Sequence, residues 1–186
     1  MHHLKGLIYP KSPLEIVPIR MCDSEAILQF RNAQLSYLRQ KKPLEKTEQD
    51  AYFQSVIWPQ LSRTQPEMVL FSFLEEGSCV GYGGLVHIDW EALRAEISFL
   101  MDPAFDRGRY VIFLRFFLKW IQVVGFEKLK LHRLYMETYD LRPYHTEVYE
   151  DAGFRFEGRL KDHEFIDGHF VDVLYHGLTV AETLES

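Results

Sequence analysis

Apolar and polar residues alternate over 94–101, with Arg94, Glu96 and Ser98 on one side and Ala95, Ile97 and Phe99 on the other. A period of two predicts a strand with two distinct faces. "LEIVPIR" (14–20) and "KLKLHRLYMET" (128–138) read as further strands. "EMVLFSFLEEGSCVGYGGLVHID" (67–89) reads as two strands folded back at "EEGS". "FRFEGRLKDHEFIDGHFVDVLYHGL" (154–178) predicts a hairpin with Asp167-Gly168 at its tip. The spacing changes to that of helices in four places. "CDSEAILQFRNAQLSYLRQ" has Asp23 or Ser24 as its cap, and the run after Pro43 has Thr47 as a candidate cap. A helix over 109–124 carries one polar stripe, Arg115, Lys119 and Gln122, and Gly125 stands where a C-cap belongs. "RPYHTEVYEDAGF" predicts a short helix with Pro143 near its first turn and Gly153 just past its end. The order is strand, two helices, three strands, helix, strand, helix, two strands. It predicts a single mixed α/β domain over 1–186.

Composition narrows the classes. A chain of 186 residues, 47% hydrophobic and 15% aromatic, can bury a sizeable core. The net charge of −6 argues against sequence-independent nucleic-acid binding, which needs a basic surface. The N-terminal "MHHLKGLIYP" lacks a signal-peptide apolar core. The most apolar run, 110–126, is interrupted by Arg115, Lys119 and Gln122, so no membrane span is expected. Cys22 and Cys79 form no CxxC pair and read as reduced thiols of a cytoplasmic protein. "HEFID" opens like a zinc-protease motif but has Asp167 where the second histidine is required, so no metal site is expected.

"VYEDAGFRFEG" followed by "DGHFVDVLYHGL", together with "ILQFRNAQLSYLRQKKPL" and "GYGGLVHIDWEALRAEISFLMD", resembles the GNAT superfamily of acyl-CoA-dependent N-acetyltransferases. The resemblance lies nearest the branch of ribosomal-protein alanine and nucleotide-amino-sugar acetyltransferases. It implies a central mixed sheet of about seven strands flanked by about four helices. It also implies acetyl-CoA as cosubstrate; the exposed edges of such a sheet allow a monomer or a homodimer. The implied acceptor is a small amine or a nucleotide-linked amino sugar, with a protein N-terminus as the alternative. A non-catalytic acyl-CoA-binding module is a further alternative, as is a protein that keeps the fold but not the ligand.

The family holds the thioester carbonyl on backbone N–H groups of the fourth strand, which implies Phe99, Leu100 and Met101. The phosphate loop of the family maps onto 105–110. Gly108 matches its first glycine, but Phe105 stands at the Gln/Arg position and Tyr110 at the last glycine or alanine. A helix start offers unpaired N–H groups and partial positive charge, which suit a pyrophosphate. Arg107, Gly108, Arg109 and the Tyr110 amide are therefore candidates to hold it, with "DRGR" as a solvated polar loop the alternative. Tyr149 matches the tyrosine that protonates the leaving sulfur in many members, or is simply core. Glu96 is a candidate general base, or the partner of Arg94 or another cation. Arg142 replaces a common cosubstrate-binding asparagine and reads as a phosphate contact or an exposed capping residue. Arg31, Asn32, Gln34 and Tyr37 lie on the helix where the family builds its acceptor pocket. Arg31 there either meets an anionic acceptor group or forms a structural salt bridge. Phe113, Phe116, Phe117 and Trp120 read as core.

Overall fold

The computed structural model describes residues 13–184; the segment judged for a signal peptide lies outside them. The strands are β1 (Glu15–Pro18), β2 (Val69–Glu75), β3 (Ser78–Asp89), β4 (Arg94–Met101), β5 (Arg133–Tyr139), β6 (Arg155–Ile166) and β7 (His169–Thr179). They form one seven-stranded sheet in the order β1-β2-β3-β4-β5-β7-β6. All neighbours are antiparallel except β4 and β5. The helices are α1 (Ser24–Asn32), α2 (Lys46–Tyr52), α3 (Arg107–Gln122) and α4 (Tyr144–Asp151). α2 runs on through a π-helical turn, Phe53–Ile57, into Trp58–Gln60. The mixed α/β class and element order expected from the sequence are those observed.

Alternation along β4 divides the core. Ile97 and Met101 join Phe73, Phe113, Phe117 and Leu134 on the α3 face. Leu100 joins Ile27, Phe30, Phe53 and Ile57 on the α1–α2 face. The aromatic stripe of α3 is core as expected: Phe113, Phe117 and Trp120 are buried and Phe116 packs against them. Ile112 departs from the pattern and is exposed.

Helix ends differ from expectation where side chains found other partners. Asp23 is the N-cap of α1, but its carboxylate accepts from Arg20 at 2.8 and 2.7 Å instead of capping. Ser24 donates to Asp50. The second helix is capped by Glu45 in a reciprocal box with Glu48, not by Thr47. Gly125 does not stop α3; the chain continues in a π turn, Val123–Lys128. Gly125 is needed for closeness, because a Cβ there would lie 2.9 Å from the Leu134 side chain.

Candidate active site

The parallel pairing of β4 with β5 covers Arg94↔Arg133, Ala95↔Leu134 and Glu96↔Tyr135, and then ends. β4 continues to Met101 and β5 to Tyr139. The strands therefore splay, and a cleft of about 990 Å³ opens between and beside them. Ile97, Ser98, Phe99 and Leu100 line one side and Met136, Glu137, Thr138 and Tyr139 the other. Beyond Glu96, the β5-facing edge of β4 has no strand partner, so its outward amides are available to a ligand carbonyl.

On the α3–α4 wall, three uncharged side chains are joined in series. Tyr149 Oη lies 2.9 Å from His145 Nδ1, and Tyr110 Oη lies 3.0 Å from His145 Nε2. His145 and Tyr149 are four residues apart on α4, so one helical face presents both. Arg142 Nη1 donates to Tyr110 Oη at 3.4 Å, and its Nη2 donates to Gln34 Oε1 at 3.0 Å. The guanidinium also stacks 3.7 Å above the Tyr37 ring. Burial, and then the charge of Arg142, hold the His145 imidazole down at about 3, so it is neutral. Burial raises both phenols above their ordinary range. Behind Tyr149 the buried ring of His176 packs edge-on, 5.3 Å between centroids.

The β4–β5 wall is charged. Arg39 donates to both oxygens of Glu96, at 3.1 and 2.9 Å, and reaches Glu137 at 3.0 Å. The cation beside Glu96 is thus Arg39; Arg94 pairs with Asp89 instead. Tyr175 donates to Glu137 at 2.6 Å. Arg31 has no carboxylate partner among the described residues. Its Nη1 donates to Tyr82 Oη at 2.7 Å and its Nε to Gln40 at 2.9 Å. The structural salt bridge considered for Arg31 is absent from this set.

The structure brings Arg31, Tyr37, Glu96, Phe99, Leu100, Arg142 and Tyr149 to the cleft, with the Tyr110 side chain; the Tyr110 amide, the candidate phosphate donor, instead donates to the Asp106 carbonyl at 2.8 Å. It sends other candidates elsewhere. Met101 is 1% exposed and its carbonyl is taken by Gln34 Nε2 at 2.7 Å. Gln34 is buried and ties β4 to Arg142. Asn32 fixes the segment after α1, accepting from the Leu44 amide and donating to the Leu44 carbonyl, each at 2.9 Å.

The opening of α3 is self-capped. Asp106 accepts from the Arg109 amide at 2.9 Å, which places a carboxylate where a pyrophosphate was expected. Arg109 pairs with Glu75 and lies over Phe105, and Arg107 lies over Tyr144, 4.6 Å from the ring centroid. Neither guanidinium, nor Gly108, lines the cleft.

His145 and Arg39 were missed in the sequence. His145 had a local signal, its place four residues before Tyr149. Arg39 had none, because its partners are 57 residues away or more in the chain. Among the described residues no group of His, Cys, Asp or Glu could hold a metal ion, and no helix is long and apolar enough to cross a membrane.

Residues 16–175 match the family described as "Acetyltransferase (GNAT) domain". Among solved structures, the spermidine N-acetyltransferase from Vibrio cholerae in complex with CoA and spermine superposes with a TM-score of 0.80 at 21% identity, covering 94% of this chain and 99% of that one. A chimera of the Vibrio cholerae enzyme SpeG and hSSAT superposes with a TM-score of 0.80 at 20% identity, covering 94% and 100%. SpeG in complex with manganese ions gives 0.75 at 20% identity, covering 92% and 95%.

Proposed function

The chain belongs to the GNAT acetyltransferase family, and from that premise we propose that it moves the acetyl group of acetyl-CoA to a primary amine of a small molecule, with Tyr149 as the acid. The observation that carries this is the three-pair β4–β5 contact that opens into a cleft lined by Tyr149. The thioester carbonyl lies along the free edge of β4 at Phe99, whose amide points away from β3 and meets the oxyanion. The amine nitrogen attacks the carbonyl carbon, and the C–S bond breaks. The nitrogen loses one proton and the sulfur gains one. Tyr149 supplies the sulfur's proton and is restored by the proton the nitrogen sheds. Its raised pKa keeps it fully protonated beforehand. Cys22 and Cys79 lie outside the cleft, so the amine attacks the thioester directly.

Glu96 enters this scheme as half of an ion pair. Both its oxygens are on Arg39, so it takes a proton, or meets an ammonium, when Arg39 swings away. The Asp106 cap at the opening of α3 likewise turns aside to admit a pyrophosphate.

The acceptor class that fits best is a cationic polyamine. Glu67, Asp89, Glu91, Glu96 and Glu137 line the cleft against the guanidiniums of Arg31, Arg39 and Arg142. Glu96 and Glu137 share the single guanidinium of Arg39, so a substrate ammonium can take its place between two carboxylates, and a structural neighbour is a spermidine N-acetyltransferase holding spermine. One observation favours a second reading, an anionic acceptor such as a nucleotide-linked amino sugar: Arg31 lines the cleft, donates to Tyr82 and Gln40, and has no carboxylate partner among the described residues.

Acetyl-CoA binding measured by calorimetry, followed by CoA release with spermidine, spermine, a nucleotide-linked amino sugar and an N-terminal peptide, tests both. Turnover with the polyamines alone is expected. Acetyl-CoA that binds and is not consumed by any amine would replace the enzyme with a binding module.

A further inference from the structure

The neutral imidazole of His145 bridges two phenols, and only one of its nitrogens carries hydrogen. Two polarities are open to the series. In the first, Tyr110 donates to Nε2 and Nδ1–H donates to Tyr149. In the second, Tyr149 donates to Nδ1 and Nε2–H donates to Tyr110. Arg142 decides between them, because a guanidinium only donates, and it donates to Tyr110 Oη. The first polarity gives each phenol oxygen one donor. The second places Arg142 and Nε2–H on the same phenol oxygen, whose second lone pair is a poor acceptor. The first also aligns every dipole away from the Arg142 charge, and hydrogen bonds in series strengthen one another.

We propose that His145 is a positioning residue, held in its Nδ1–H tautomer by Tyr110 and Arg142, and that it turns the hydroxyl proton of Tyr149 into the cleft. With Nδ1–H on its oxygen, Tyr149 has no described acceptor for its own hydrogen except what enters the cleft it lines. As the Tyr149 O–H bond breaks and the S–H bond forms, the same Nδ1–H holds the phenolate that develops. Arg142, set between Gln34 and the Tyr37 ring, is the fixed start of the series. The destination of the proton rests on the acetyl-transfer reading; the tautomer does not.

Nitrogen-15 NMR of the imidazoles in the full chain, with the His145 signals assigned by their loss in His145→Asn, reads the tautomer without any ligand. The expected result is a protonated Nδ1 and an unprotonated Nε2. Tyr110→Phe, which removes one hydroxyl, is expected to shift His145 to Nε2–H. Its kcat should fall roughly tenfold with the KM for acetyl-CoA within about twofold. Added to Tyr149→Phe, it should cost nothing further, since it acts through that hydroxyl. A wild-type protein protonated on Nε2, a tautomer unmoved by Tyr110→Phe, or losses that multiply in the double variant would each overturn the proposal. A chain that turns over no amine but shows Nδ1–H in the wild type, shifted by Tyr110→Phe, would overturn the enzymatic reading and leave the tautomer assignment standing.

Discussion

On the β4–β5 wall of the cleft, Glu96 and Glu137 are charged and share Arg39. On the α3–α4 wall, Tyr110, His145 and Tyr149 are uncharged and linked end to end. Water access separates the two. The Arg39 side chain is 46% exposed, so its ion pairs stay partly hydrated and exchangeable. Tyr149 is 5% exposed, and a permanent charge there would be shut off from solvent. One wall is therefore suited to trading a cation for a substrate ammonium. The other is suited to holding a proton in one direction.

The largest break in this comparison comes from Tyr149→Phe. It should lower kcat by about 100-fold or more, in the range of a lost general acid, and leave acetyl-CoA affinity nearly unchanged. Steady-state kinetics with calorimetric binding would show it; undiminished kcat would remove Tyr149 as the acid.

The neutral wall also sets a pH dependence of stability. His145 titrates near 3 when folded and at its ordinary 6.5 when unfolded. Between those values the unfolded chain binds the proton and the folded chain does not. Stability is thus full above 6.5 and falls as pH drops towards 3, by at most about 1.4 kcal/mol per pH unit from this residue. Urea unfolding across that window should show a shallower slope for His145→Asn than for the wild type.

Arg39→Met sharpens the charged side. It frees Glu96 and Glu137 and should lower stability by roughly 2 kcal/mol, between an exposed and a buried pair, since Arg39 is half exposed but Glu96 is only 8% exposed. It should also tighten the KM for a polyamine severalfold. A weakened KM would instead favour the anionic acceptor.

The smallest effect is expected from Asp106→Asn. The amide keeps a capping oxygen and removes the negative charge from the opening of α3. Acetyl-CoA should bind about two- to fivefold tighter, in line with the worth of one charge at a helix end. An affinity unchanged or weakened would place the pyrophosphate elsewhere.

Features with a local period were legible in the sequence. The alternation over 94–101 placed Glu96 and Ser98 on the face opposite Ile97, and "VYEDAGF" marked Tyr149 on its short helix. The hairpin tip at Asp167-Gly168 followed from turn chemistry. The contacts that decide the site were not legible. Asp106 reads as one more polar residue of a loop until its carboxylate is seen on the Arg109 amide. Arg107 and Arg109 flank a glycine at a helix start, yet a ring and a carboxylate from other elements claim them. Asn32 and Gln34 share a helix end with Arg31, but which way each turns was settled by Leu44, Met101 and Arg142, residues that no spacing rule connects to them.

The parallel rungs at Arg94–Glu96 hold the ribbon of β1–β4 against the ribbon of β5–β7 at one end only. Twisting or shearing between the ribbons is therefore concentrated in the unzipped stretch. A pantetheine arm laid there would act as a replacement strand, tying the free ends together. Exchange of the outward Ile97 and Phe99 amides should then slow on cosubstrate binding, making the molecule stiffest when it is loaded to react.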